Sequence, residues 1–146
     1  MSINDYFDNL ASALMAFQYL EATLKFYIRD CDKIIQKAVK ESFYYAVRED
    51  EIERMPLGRL IEEFSRRSNR KDIISVLKKL NKDRNYVAHM GYLLTIEEQK
   101  DSEKMHKFVD KIAKLTKAVK ACMKELVREN SRVTNQPFSE ELLDQI

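Results

Sequence analysis

The stretch Met105–Leu126, MHKFVDKIAKLTKAVKACMKEL, decides how this chain folds. Its apolar residues Met105, Phe108, Ile112, Leu115, Val119, Cys122 and Leu126 follow one another in steps of three and four, the period of one helix face. A half-buried strand would instead alternate at every second residue. Such a seam is typical of helices packing side by side in a bundle. The same pattern recurs near the N-terminus through Phe7, Leu10, Leu14, Phe17, Leu24, Ile28, Cys31, Ile35 and Ala38, with one gap at position 21. It predicts a long first helical region over about residues 4–46. One straight helix of that length would span over ~60 Å, so a bend or break near Asp30–Asp32 is expected, giving two helices.

Between the two seams the chain reads as shorter pieces. The acidic-basic stretch from Arg48 to Arg54 suits a connection, and Pro56 suits the first turn of a helix from Leu57 to about Ser65. Ser68 or Asn69 can cap a further helix through Ile73, Leu77, Leu80 and Val87, which Gly91 would end. Thr95 with Glu98 has the spacing of a capping box for the last long helix. After Asn130 the chain turns polar and carries Pro137, with a short terminal helix expected at Glu140–Ile146. The expectation is an all-α, up-and-down bundle of four or five helices. One domain would cover 1–130, with a polar tail over 131–146.

Composition agrees. The chain has 146 residues, 45% hydrophobic and 34% charged, enough for one domain with a modest core. Two glycines and two prolines leave too little punctuation for a β-protein. No apolar run approaches the ~18 residues of a membrane span. The N-terminal stretch, with Asp5 and Asp8, lacks a signal-peptide pattern, so a cytoplasmic protein is expected. Cys31 and Cys122 are far apart and form no C-x-x-C pair, which suggests neither a zinc site nor a disulfide framework.

The candidate chemistry lies in Arg84-Asn85-Tyr86-Val87-Ala88-His89. Arginine supplies a planar phosphate-binding fork, and histidine is the side chain best poised for proton transfer near neutral pH. Cleavage of a phosphodiester needs both. Asn85 and His89 are helical neighbours at i and i+4, so Asn85 can orient the imidazole or line the same pocket. Arg84 and His89 lie about 140° apart around a regular helix. For both to act on one phosphate, either the helix ends near Ala88 or a symmetry-related copy supplies part of the site.

Two charges interrupt the apolar seams: Glu21 between Phe17 and Leu24, and Arg84 between Leu80 and Val87. Either the two meet, the carboxylate holding the guanidinium bidentately, or each reaches water at a bundle end. The net charge is only +2, yet Arg66, Arg67, Arg70, Lys71, Lys78, Lys79, Lys82 and Arg84 face only Asp72 and Asp83 over Arg66–Arg84. Such a strip attracts a phosphate backbone, with Arg66, Arg67, Arg70, Lys71, Lys78 and Lys82 as candidate phosphate contacts. The other reading is a solvated face balanced in space by Glu49-Asp50-Glu51.

The segment Arg84–His89 resembles the R-x4–6-H signature of HEPN domains, which usually place a polar residue directly after the arginine, as Asn85 is here. Residues Phe17–Lys25 look like the first-helix pattern of such proteins, and Pro56–Ile61 is similar to the short central helix that precedes the motif helix. The resemblance covers about residues 7–130 in order. It implies a small helical bundle, commonly a homodimer, with two motifs facing one cleft. Many members are metal-independent endoribonucleases of toxin–antitoxin and antiviral defence systems. On that reading Arg84 holds the scissile phosphate, His89 is general acid or base for attack by the RNA's own 2′-hydroxyl, and Asn85 positions one of them. Glu21 supports Arg84, and Tyr86 and Tyr92 are candidates for base stacking. No metal or other cofactor is implied; the partners implied are RNA, a second copy and a cognate antitoxin. In members paired with a nucleotidyltransferase, a tyrosine commonly stands two residues after the histidine; Gly91 stands there here and Tyr92 one position further, a departure from the pattern for modification. The alternatives are a catalytically silent HEPN-like dimerising or regulatory module, and an unrelated helical bundle.

Overall fold

A computed structural model describes residues 3–90, 101–137 and 140–146. These residues form helices α1 (Ile3–Val39), α2 (Glu49–Arg54), α3 (Leu57–Arg67), α4 (Lys71–Met90), α5 (Ser102–Thr134) and α6 (Glu140–Asp144), and no strand appears among them. The all-α bundle expected from the two seams is what forms. Among the described residues, no helix is long and apolar enough to cross a membrane.

The expected break near Asp30–Asp32 is absent, and α1 runs unbroken for 37 residues. The stretch holds no glycine or proline, and both aspartates are bound to neighbouring elements instead of capping a new helix. Asp32 Oδ1 accepts from Arg67 Nε at 2.9 Å, and Asp30 Oδ2 accepts from Asn130 Nδ2 at 3.0 Å. The helix also stops short of residue 46. Asn130 marks where α5 draws level with Asp30, and α5 ends a turn later. The last turns of α1 therefore overrun the bundle, leaving Ile35 and Ala38 exposed despite their place in the seam. At the other end Phe7 is exposed and Tyr6 is buried. A strict three-four repeat drifts about 20° per heptad against a straight helix, so a seam this long cannot stay on one face.

The stretch Arg48–Arg54, expected as a connection, contains the single helical turn and a half of α2. Glu49, Asp50 and Glu51 occupy its first turn, where carboxylates suit the positive end of a helix. Buried Ile52 anchors it to the core, and Glu53 reaches back to α1, pairing with Arg29 and accepting from Lys25 Nζ on its carbonyl at 2.8 Å. Pro56 stands at the N-cap of α3, one position before the first turn. Before α4 the Ser68 Oγ accepts from Arg70 N at 3.1 Å, a local turn that leads the chain into the helix.

Gly91, Tyr92 and the Thr95–Glu98 capping box lie outside the described residues. The N-terminus of α5 is capped by Asp101, whose Oδ1 accepts from Glu103 N and Lys104 N. This helix runs past Asn130 to Thr134 and ends on Asn135 in the left-handed region, at φ 57°. The tail is more than polar chain: Leu143 of α6 is buried and Ile146 packs on the core.

Helix directions alternate along the chain, with short α2 as one of the passes: Glu49 meets Lys33 and Glu53 meets Arg29, so α2 runs against α1. Tyr6 stacks near Phe108 at 5.4 Å, and Asp30 meets Asn130, so α1 and α5 run the same way. Tyr27 packs on Phe64 at 4.8 Å and Asp32 on Arg67, so α3 follows that direction too. Only α4 among the long helices runs back. The cause is the connection through α2, which returns the chain alongside residues 25–29 of α1 before α3 starts. Apolar residues from α1, α3, α4 and α5 close one core around Phe17, Leu24, Phe64, Leu77, Val119 and Leu126.

Candidate functional site

Position 84 of α4 lies between buried Leu80 and Val87, and position 21 of α1 between buried Phe17 and Leu24. Both helices therefore turn a charged residue toward one another. Arg84 Nη2 stands 3.7 Å from Glu21 Oε1, with the side chains 38% and 22% exposed. The two charges meet, as one of the sequence readings had it. The contact is a single ion pair longer than a hydrogen bond, not the expected bidentate grip. With both side chains in reach of water such a pair contributes at most about 1 kcal/mol. Its consequence is directional: the guanidinium is held against α1 at a half-open edge of the core. Gly58, at the start of α3, lies beside Asn81, one turn before Arg84. The pair thus sits beyond the start of α3, with the Arg84 side chain partly open to solvent.

His89 takes the opposite side. α4 stays helical through Met90, so the option of a helix ending near Ala88 is excluded, and the 140° between Arg84 and His89 stands. His89 is exposed, as is Asn85 one turn before it. Lys71, Lys78 and Lys82 are exposed too, and all five fall within about 40° of one line along α4. The row of lysines leads to the imidazole, facing away from the Arg84–Glu21 contact. Within one chain, then, Arg84 and His89 do not converge.

Tyr86 lies between these two sides, 43% exposed, with Lys111 Nζ of α5 4.0 Å above its ring. It borders a groove of about 380 Å³ between α4 and α5 whose rim carries Lys79, Lys111 and Lys114. Lys111 and Lys114 join the basic surface only in the folded chain, since the charge strip read along the sequence stops at Arg84. Tyr92 lies outside the described residues.

The arginines at the start of the basic strip have other duties. Arg67 is inserted between α1 and α3, donating to Asp32 Oδ1 at 2.9 Å, to Asp32 Oδ2 at 3.2 Å and to Glu63 Oε2 at 2.7 Å. Burial alone would lower its pKa, but its hydrogen bonds to the two carboxylates outweigh that and raise it. Arg67 is therefore committed to structural ion pairs within the chain, unlike the exposed lysines of the strip. Arg66 pairs with Glu63 at 3.0 Å and Arg70 with Asp72 at 2.9 Å and Glu129 at 3.3 Å. Their charges are balanced by Glu63, Asp72 and Glu129, not by Glu49-Asp50-Glu51, whose first and third members pair with Lys33 and Arg48.

This carboxylate–arginine network was missed in the sequence. A signal existed: Asp32 follows buried Cys31, and Glu63 precedes buried Phe64, so each carboxylate borders the core face and needs a partner. The hydrogen bond from Arg67 keeps the Glu63 pKa below the carboxylate range, and one from Arg132 does the same for Glu129. The two cysteines are buried, and burial pushes the Cys122 thiol up to about 12, which unsuits it to nucleophilic work.

No protein-family model, curated protein or solved structure matches this chain.

Proposed function

We propose that this protein is a metal-independent endoribonuclease of HEPN type that works as a homodimer, with each cleft taking Arg84 from one protomer and His89 from the other. The observation that carries the reading is the division of labour on α4: Arg84 is steadied by Glu21 on one side, while Asn85 and His89 stand in a lysine row on the other. The lysines track the RNA backbone. The 2′-hydroxyl loses its proton and bonds to the adjacent phosphorus, and the bond to the 5′-oxygen breaks as that oxygen gains a proton. His89 performs one of the two proton transfers, and Arg84 stabilises the charge developing on the phosphoryl oxygens. The products are a 2′,3′-cyclic phosphate and a free 5′-hydroxyl. A role as toxin or phage-defence effector, with a cognate antitoxin, fits such an activity. The test is incubation of purified protein with total RNA in EDTA, wild type against His89→Ala. Cleavage by the wild type alone supports the reading, and equal cleavage by both removes His89 from it.

A second reading is a catalytically silent dimerising module. The divergence of Arg84 and His89 within one chain favours it, and absence of cleavage under all conditions would select it.

A further inference from the structure

The outward face of α1 carries a second apolar seam that the core does not use. Met15, Tyr19 and Phe26 are 54%, 58% and 62% exposed, and Ala22 is exposed between them. Their spacing of four, three and four is the a/d repeat of a two-helix interface. Extended by one more heptad step each way, the seam reads Asp8, Ser12, Met15, Tyr19, Ala22, Phe26, Arg29, Lys33. It is apolar in the middle, acidic at one end and basic at the other. We propose that this face of α1 is an interface between two copies of the chain, paired antiparallel about a two-fold axis passing between positions 20 and 21.

The pattern is self-complementary in that register and in no parallel one. Met15 then faces Phe26 of the other copy, and Tyr19 faces Ala22, a large residue opposite a small one at both central layers. Asp8 faces Lys33, and the two-fold axis makes that pair twice. A parallel pairing would instead set Asp8 against Asp8 and Lys33 against Lys33, which repel. Lys33 is available: its present contact with Glu49 is 3.8 Å long, and both side chains are more than half exposed. Beside Phe26, a groove of about 260 Å³ between α1 and α5, bordered by Thr23, Val127 and Thr134, offers space for the incoming Met15.

The seam is separate from the proposed catalytic cleft. Glu21 and Phe26 lie five residues apart, about 140° around α1, so this contact leaves the Arg84 side open. A chain with both two-fold contacts builds assemblies larger than a dimer. Four apolar layers bury less than the ~800 Å² per partner of a standard interface, so association in the micromolar range is expected.

The experiment is sedimentation velocity from about 5 to about 200 µM, micromolar association being the regime expected. Wild type should gain mass with concentration, and Phe26→Glu should lose that step while keeping its helical circular dichroism. Asp8→Lys and Lys33→Asp should each weaken the step about tenfold, by like-charge contact at both ends. The double variant Asp8→Lys/Lys33→Asp should regain it. Positions 8 and 33 are about 38 Å apart along one helix, so only pairing between copies explains the rescue. A wild type that gains no mass over this range, a Phe26→Glu variant that sediments like wild type, or a double variant no better than the singles overturns the proposal. Association through α4 survives Phe26→Glu, so RNA cleavage by this variant reports on the catalytic reading separately.

Discussion

Glu21 on α1 and Arg84 on α4 approach to 3.7 Å, each filling the one gap in its helix's apolar face. A lone charge there would lose hydration without recompense, whereas two opposite charges at the same level satisfy one another. Arg84 is held there on the α1 side, about 140° around α4 from His89, so the proposed chemistry requires a second copy of the chain.

If Glu21 steadies Arg84, Glu21→Gln lowers RNA cleavage several-fold while circular dichroism and thermal midpoint stay near wild type. A pair this exposed adds little to stability, so an effect on activity without one on folding is the expected signature. Unchanged cleavage would remove Glu21 from the site.

His89→Ala should reduce cleavage at least ~100-fold, the usual scale for a lost proton-transfer group. Arg84→Lys should also fail, because an ammonium cannot reproduce the planar fork. EDTA should leave the wild-type rate unchanged.

Mixing Arg84→Ala with His89→Ala subunits tests the composite cleft. Each variant alone is inactive, but their heterodimer holds one intact Arg84 and one intact His89 across the two-fold and should regain some cleavage. Full activity of a wild-type monomer, measured by light scattering and assay at the same concentration, would contradict it.

Arg67→Ala should destabilise the fold by about 3 kcal/mol in urea unfolding, since it takes the cationic partner from buried Asp32 at the α1–α3 junction and leaves Glu63 only Arg59 and Arg66. Arg66→Ala, whose side chain is mostly exposed, should change stability far less. Equal effects would show that the Arg67 pairs are not the anchor.

Stability should also fall in acid. Glu63 and Glu129 have pKa values below their ordinary 4.5 in the folded chain, through hydrogen bonds from Arg67 and Arg132 first. Their contribution is complete above about pH 4.5 and is lost as pH drops through the depressed folded values. Glu129→Gln should flatten that part of the urea-midpoint profile. A profile identical to wild type would exclude Glu129 as a source.

The three-four spacing of Leu10, Phe17, Leu24 and Ile28, and of Met105, Ile112, Val119 and Leu126, made the helical bundle legible in the linear chain, because apolar periodicity is a local property. The seam gaps at Glu21 and Arg84 were legible for the same reason, and so was the need for partners. What the linear order could not carry was anything set by packing between distant segments. Asp30 and Asp32 look like helix breakers until Asn130 and Arg67 arrive to bind them. Arg67 looks like a free cation until α3 lays it against α1. The parallel course of α1 and α5 follows from the return of the chain through α2, whose helix depends on burying Ile52 in a core built by other elements. Helical period fixed the angle between Arg84 and His89; only the continuation of α4 through Met90 decided that one chain cannot bring them together.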